Sequence, residues 1–201
     1  MITRRDFLGT SLASTLGAAA GTTWSAATLG DSRVIRADAA VADLRFPESA
    51  AFATVLAHAG VAVHAFAGDV TQVWLNELEP LWRARQAAVA GLTSYSVLFC
   101  LERLAWDHGM RVVHRSRHSA TSDGTLEHAL PHAAGPLASS LRSNAAVEWP
   151  LQVAAWLASA PLGSTASADA GAARLRVTAY DPGAARTPPL YAWLIALPQR
   201  A

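Results

Sequence analysis

The sequence predicts an α/β fold with a mostly parallel sheet, helices on both faces, and a C-terminal antiparallel hairpin at one edge. Short apolar runs alternate with stretches of helical periodicity through the first half of the chain, which is typical of a parallel sheet. The apolar runs lack in–out alternation, as expected of strands that are covered on both sides. With 201 residues, 52% of them hydrophobic, the chain is long enough for one core, and we expect one domain over residues 30–201.

The first half predicts four strands separated by three helices. The apolar runs are predicted as strands over residues 39–44, 61–66, 87–90 and 110–114. Residues 39–44 are preferred to Val34 and Ile35 for the first of these. The intervening helices begin near Pro47, Asp69 and Thr93, where a proline or a capping side chain favours a helix start. Pro80 is expected to kink or divide the second helix, because it lacks an amide N–H.

The second half departs from this alternation. Residues 116–144 are polar and contain Gly and Pro, so we predict a long loop with one short helix. A helix follows over residues 145–158, and then a linker rich in Gly, Ser and Ala over residues 161–173. Strands at residues 175–179 and 190–197 are expected to pair as the edge hairpin, turning through residues 181–183.

Composition excludes several functional classes. The formal net charge is +1 and no basic stripe is present, so nucleic acid is not an expected partner. The chain has no lysine, which excludes Schiff-base chemistry, and no glycine-rich nucleotide loop, and the sequence identifies no cofactor. Its single cysteine, Cys100, excludes an intrachain disulfide and is expected to be buried. The five tryptophans with helical spacing are likewise expected in the core, namely those at 74, 82, 106, 149 and 156.

The carboxyl ends of the predicted strands indicate where a ligand site would lie, since open α/β sheets bind ligands at that edge. Gly91-Leu92-Thr93-Ser94 is predicted as a turn that leads into the third helix. Its hydroxyl side chains, with arginines nearby, suit a small anionic ligand such as a carboxylate or phosphate. Helix capping alone is the other explanation for these hydroxyls. The predicted ligand-binding residues are Asp43, Arg45, Asp69, Thr93, Ser94, Tyr95, Ser96, Arg115 and Arg117.

Two kinds of reactive site are also compatible with the sequence. A hydrolase would use Ser94 or Ser96 as nucleophile, His114 or His118 as base and Asp69 to orient the base, although the Gly-x-Ser-x-Gly motif is absent. A metal site would draw on His114 and His118, or on His128 and His132, because each pair is spaced four residues apart. Solvated loop histidines are the simpler account of these pairs.

The N-terminus carries the one specific motif of the chain. Thr3-Arg4-Arg5-Asp6-Phe7-Leu8 precedes a mildly apolar stretch rich in Gly, Ala, Ser and Thr. Ala18-Ala19-Ala20 and Ser25-Ala26-Ala27 are the two candidate small-residue cleavage sites. The segment resembles the twin-arginine signal of exported bacterial proteins. The resemblance implies that the Tat translocase recognises residues 1–29 and exports the chain to the periplasm. The apolar stretch is too weakly hydrophobic for a permanent membrane anchor.

Two functions follow as expectations, and the sequence does not decide whether the protein is an enzyme. The first is an exported periplasmic protein that binds a small ligand or serves as an accessory module, for example to an exported redox enzyme. The alternative is a small periplasmic hydrolase or transferase that uses the turn from Thr93 to Ser96 with a histidine base.

Overall fold

The computed structural model describes residues 34–131, 134–143, 148–161, 172–177 and 188–198. The predicted signal segment, residues 1–29, lies outside these ranges. The strands are β1 (Val34–Ile35), β2 (Ala39–Asp43), β3 (Ala62–Phe66), β4 (Val89–Ser94), β5 (Arg111–Ala120), β6 (Leu126–Pro131), β7 (Ala160–Pro161), β8 (Ala172–Val177) and β9 (Leu190–Ala196). The helices are α1 (Pro47–His58), α2 (Thr71–Val73), α3 (Glu79–Ala84), α4 (Tyr95–Trp106), α5 (Gly135–Ser143) and α6 (Trp149–Ala158).

Seven of these strands form one mixed sheet in the order β3-β2-β4-β9-β5-β6-β8, and β1 and β7 form a separate antiparallel pair. The α/β class is therefore confirmed. The sheet is parallel only at the end formed by β3, β2 and β4, and every later pairing is antiparallel. The prediction of a mostly parallel sheet is wrong, because β9 inserts between β4 and β5 and runs antiparallel to both.

The predicted hairpin between the last two strands is also wrong. β8 pairs with β6 at the edge of the sheet, whereas β9 lies in its centre. Burial explains this placement: six of the seven residues of β9 are buried, which requires neighbours on both sides. In β8, exposed Arg174 and Arg176 flank buried Leu175, an alternation that suits an edge strand. The predicted turn over residues 181–183 lies outside the described residues.

The predicted loop over residues 116–144 is largely regular structure. β5 continues to Ala120, β6 follows after a turn through Gly124 (φ 76°), and α5 begins at Gly135. The polar side chains that suggested a loop alternate between the two faces of β5, where His118 is buried and Arg117 is exposed. Alternation of period two was present in the sequence, but histidine and serine filled the inward positions that apolar residues usually fill.

Alternate residues of the central strands enter two separate hydrophobic clusters. Ala40, Ala90 and Ala192 belong to a cluster that also contains residues of α1, α5 and α6. Val41 and Trp193 belong to a second cluster, which contains residues of the α2–α3 stretch and of α4. The buried core of the described residues is therefore divided into two clusters.

Pro80 divides the second helix as predicted. A π-helical segment, Trp74–Leu78, separates α2 from α3, and Pro80 lies at the start of α3. Pro80 has no N–H to donate to the preceding turn. The wider π-helical turn accommodates the proline without this hydrogen bond. Of the helices that the structure describes, none has the length and apolar character needed to cross a membrane.

Candidate functional site

The carboxyl ends of the parallel strands meet at one rim, as the sequence predicts. β2 pairs in parallel with β3 on one side and with β4 on the other, so that Asp43, Phe66 and Leu92 lie near the same edge. β4 then continues to Ser94, beyond the strand end expected at residue 90. The predicted Gly-Leu-Thr-Ser turn is therefore the last part of the strand, and α4 begins directly after it.

Asp43 and Arg45 form an ion pair that organises this rim. Nη2 of Arg45 donates to Oδ2 of Asp43 over 2.6 Å, and Nε donates to Oδ1 over 3.0 Å. The N–H of Gly68 also donates to Oδ1, over 3.4 Å. Burial of Asp43 opposes ionisation, but the hydrogen bonds and charge of Arg45 and the Gly68 N–H hold its pKa below the usual 3.8. Asp43 is fully buried, so it positions Arg45, whose side chain is 50% exposed.

The hydroxyl groups at the start of α4 have separate roles. Thr93 is buried, and its Oγ1 accepts a hydrogen bond from Nε1 of Trp193 over 3.0 Å. Ser94 occupies the N-cap position, but its side chain makes no capping bond and lies 3.0 Å from Oγ of Ser96. Ser96 is exposed, as is Tyr95, which packs against Tyr191. The structure thus leaves Ser96 and the first turn of α4 accessible at the rim.

A cavity of about 330 Å³ opens between this helix start and the end of β3. Its wall includes two predicted site residues, Asp69 and Ser96, together with Trp74 and Cys100. Hydrogen bonds from Thr71 hold the pKa of the Asp69 carboxyl below 3.8, so that Asp69 is ionised at neutral pH. Cys100 is exposed on this wall, and the prediction that it is buried is wrong. It lies on the flank of α4 that faces the cavity, not on the flank that faces the sheet.

The two predicted ligand-binding arginines of β5, Arg115 and Arg117, lie level with the rim but on another part of the sheet. Arg117 is opposite Tyr191 on β9, which is opposite Thr93 on β4, so one row crosses three strands. Arg115 forms an ion pair of 2.8 Å with Glu102 on α4. Neither arginine lines the cavity beside Asp69. The structure therefore divides the predicted ligand-binding residues between the rim and the face of β5.

Three of the four histidines proposed as metal ligands meet in a buried chain of hydrogen bonds. Nε2 of His114 lies 3.2 Å from Oγ of Ser116, which lies 3.0 Å from Nε2 of His118. Nδ1 of His118 lies 2.6 Å from Nδ1 of His128 on the neighbouring strand β6. Two proton arrangements satisfy the whole chain with neutral rings, one donating from His114 towards His128 and one in the reverse direction.

Burial keeps these histidines uncharged at neutral pH. It lowers the pKa of His114 to about 3 and that of His128 to about 4. Burial, and next the charges of His128 and His114, lower the pKa of His118 well below 6.5. The ring of His118 stacks on Trp149 with centroids 4.4 Å apart. Desolvation, which disfavours the charged imidazolium, explains the common direction of these pKa shifts.

The contacts of the three histidines are those of a buried hydrogen-bonded chain. Its hydrogen bonds run in series from His114 through Ser116 to His118 and then to His128. Within the described ranges no group of three or more His, Cys, Asp or Glu residues is placed to hold a metal ion. His132, the fourth candidate, lies outside the described residues. Two of the buried rings also pack against α6, His114 against Trp156 and His118 against Trp149.

The hydrolase geometry is not assembled at the rim. His114 and His118 are 1–2% exposed and bond to Ser116, whereas Ser94 and Ser96 bond to each other. In the part of the chain that the structure describes, no histidine or carboxylate bonds to either candidate nucleophile. A serine needs such a base within hydrogen-bond reach to become nucleophilic.

A second cavity was not expected from the sequence. It measures about 340 Å³ and lies between α5 and α6, with Ser140, Gln152 and Trp156 on its wall. Nε2 of Gln152 and Nε1 of Trp156 are buried without a hydrogen-bond acceptor among the described residues. The helical spacing of Gln152 and Trp156 was visible in the sequence. The helix α5, which completes the cavity, falls in the stretch predicted as a long loop with one short helix, whose position was not assigned.

No family profile, no curated protein and no solved structure matches this chain. The site geometry and the N-terminal motif are therefore the grounds on which a function can be argued.

Proposed function

We propose that the protein is an exported periplasmic protein that binds a small ligand in the cavity beside Asp69 and Ser96. The observation that carries this proposal is the position of the cavity, at the carboxyl end of β3 and the N-terminus of α4. Ligand sites of open α/β sheets favour this position, and a volume of about 330 Å³ suits a small molecule. Service to an exported redox enzyme is one form that such a binding role would take.

The walls of the cavity indicate which ligand chemistry fits. The free N–H groups of the first turn of α4 and the hydroxyl of Ser96 favour an anionic group. The ionised carboxylate of Asp69, which also lines the cavity, favours a hydrogen-bond donor such as a hydroxyl or ammonium group. Trp74 and Leu104 provide apolar surface between them. We therefore propose a small carboxylate that also carries a hydroxyl or amino group.

Alkylation of Cys100 tests ligand binding directly, because this thiol is the only one in the chain and lies on the cavity wall. We expect glycolate, lactate or serine, added at saturation, to slow the reaction with iodoacetamide by about fivefold or more, since a bound molecule covers the thiol. Ser96→Ala should remove the protection. Ser139→Ala, on the exposed surface of α5, should preserve it and serves as the matched control.

Protection that is independent of the cavity would contradict the proposal. A variant that combines Cys100→Ser with Thr54→Cys carries its thiol on exposed α1 and reports non-specific effects. The proposal fails if none of the three compounds slows alkylation of Cys100, or if the thiol at position 54 is protected equally.

Export through the twin-arginine pathway is supported by the motif at residues 3–8 and has its own test. Replacing Arg4 and Arg5 by Lys should leave nearly all of the precursor in the cytoplasm, because the Tat translocase recognises the arginine pair and not charge alone. Cell fractionation and immunoblotting measure the distribution, and Arg33→Lys is the matched control. Equal export of the paired-lysine variant would show that another route carries the chain.

The position of the cavity is related to the predicted arrangement of helices on the two faces of the sheet. We propose that helices cover both faces of the parallel end of the sheet. Separate clusters support this proposal, since Ala40 packs with residues of α1 and Val41 packs with residues of α4. The cavity then lies at the rim of the layer that contains α4.

A further inference from the structure

One face of the antiparallel half of the sheet carries a group of arginines. Arg117 on β5 is opposite Ala129 on β6, which is opposite Arg174 on β8. Arg176 is two residues beyond Arg174 and is opposite Glu127. Residues directly opposite each other in antiparallel strands point to the same face, as do residues two apart in one strand. All three arginines are exposed, and together with Arg115 they form what we call the arginine face.

An aromatic stripe on α4 borders the arginine face. It consists of Tyr95, Phe99 and Trp106, which are 50%, 44% and 42% exposed, so the prediction of Trp106 as a core residue is wrong. The guanidinium of Arg103 lies 3.8 Å from the ring centre of Trp106 and 5.2 Å from that of Phe99. Such cation–π contacts hold the aromatic rings at the surface.

Two contacts join the stripe to the strands. The rings of Tyr95 and Tyr191 are 5.3 Å apart, and Tyr191 is directly opposite Arg117. At the other end of α4, the guanidinium of Arg111 on β5 lies 5.6 Å from the ring centre of Trp106. The aromatic stripe is therefore joined to β9 at the start of α4, beside Arg117 of the arginine face, and to β5 at the end of α4.

The charges of this surface are only partly balanced. Glu102 pairs with Arg115, and Glu127 pairs with Arg176 over 3.4 Å. Arg117 and Arg174 have no carboxylate partner within the described residues; Arg117 donates to the hydroxyl of Ser119 over 3.3 Å. An excess of exposed guanidinium groups attracts carboxylates, which match the planar fork of arginine in bidentate contacts.

We propose that the arginine face and the aromatic stripe together bind an acidic segment of another protein. Exposed tyrosine, tryptophan, phenylalanine and arginine are the side chains that protein interfaces concentrate. A nucleic acid is a poorer match, because Glu102 and Glu127 lie within the surface and the formal net charge of the whole chain is only +1. This inference is independent of the cavity, whose wall contains none of these residues.

A fluorescein-labelled peptide of alternating Glu and Tyr provides the probe, with binding to the purified full chain measured by fluorescence anisotropy. We expect binding that weakens with added salt, and a loss of affinity of about tenfold or more in Arg117→Glu/Arg174→Glu, because the reversed charges repel the peptide. The matched control is Arg83→Glu/Arg142→Glu, which makes the same change of net charge on exposed positions of α3 and α5. It should bind the peptide as the unmodified chain does.

Three outcomes would overturn the proposal. They are no binding of the peptide by the unmodified chain, equal loss in both pairs of variants, and tighter binding of single-stranded DNA or of phosphatidylglycerol vesicles than of the peptide. Phe99→Ala supplies a second variant that keeps the charges, and the proposal requires it to weaken peptide binding as well. Circular dichroism and urea unfolding confirm that each variant is folded.

Discussion

Lowering the pH from 6.5 to 4 should remove most of the stability of the protein, and three buried histidines are the cause. In the unfolded chain each histidine takes up a proton near pH 6.5, whereas burial lowers the pKa to about 3 for His114 and about 4 for His128. The pKa of His118 is lowered as well. Between the folded and the unfolded pKa values, the unfolded state binds more protons than the folded state. The free energy of unfolding therefore falls as the pH falls.

The size of the effect follows from the number of protons. Each histidine contributes about 1.4 kcal/mol per pH unit in this window, and three contribute about 4 kcal/mol per pH unit. A domain of ordinary stability has about 5–15 kcal/mol in total, so we expect an acid transition between about pH 5 and pH 4. Urea unfolding followed by tryptophan fluorescence at a series of pH values measures the slope.

His114→Phe separates this cause from general acid unfolding. The variant removes one proton site but leaves the pair His118 and His128 bonded to each other. Proton uptake on unfolding at pH 5 should fall by about one, with a shallower slope of stability against pH. The matched control, His58→Phe, replaces an exposed histidine at the end of α1 and should keep the original slope. A slope unchanged by His114→Phe would contradict the explanation.

The ion pair of Asp43 acts in a different range of pH. Because the folded pKa of Asp43 lies below 3.8, its contribution to stability is present above that value and is lost as the pH falls further. The histidines therefore act first on acidification, and Asp43 acts afterwards. Loss of stability that begins only below pH 4 would assign acid unfolding to carboxylates and not to the histidines.

The spacing of the histidines is visible in the sequence, but the hydrogen-bonded chain that they form is not. A spacing of four residues suggested a shared metal on a helix or in a loop, whereas His114 and His118 lie on one face of β5 with Ser116 between them. The partner that completes the chain, His128, is on β6, and the strand pairing that brings it near is a non-local event. Periodicity predicts which residues share a face of a strand, but it does not predict which strands become neighbours.

The parallel half of the sheet was predictable because its signals are local. Apolar runs, proline and glycine at helix ends, and short connections together specified β2, β3 and the helices between β2 and β5. The rim with Asp69 and Ser96 followed from this half alone. The antiparallel half depends on the insertion of β9 from the far end of the chain, which no local pattern indicates.

Gly91 is another residue whose role depends on a non-local strand pairing. It was interpreted as the start of a turn but lies within β4. Its direct partner on β9 is Trp193, a fully buried residue that is distant in sequence. A Cβ atom at Gly91 would lie 2.2 Å from Cζ2 of Trp193 and 2.5 Å from Cε2. Glycine is therefore needed at this position to leave room for the indole, and not to form a turn.

Gly91→Ala should consequently destabilise the protein by about 3 kcal/mol or more, which is the upper range for an overpacked core. The indole cannot move away easily, since its Nε1 donates to Thr93 Oγ1 over 3.0 Å and all of its surface is buried. On an open strand the same change would stabilise by about 0.5–1 kcal/mol, because alanine loses less backbone freedom on folding. The midpoint of urea unfolding measures the difference, and Gly135→Ala on α5, where no atom lies within 4 Å of an added Cβ, is the matched control.

Adding Trp193→Phe to Gly91→Ala should recover part of the lost stability, because the smaller ring leaves room for the new methyl group. A Gly91→Ala variant as stable as the unmodified chain would show that β4 and β9 are not paired in this register.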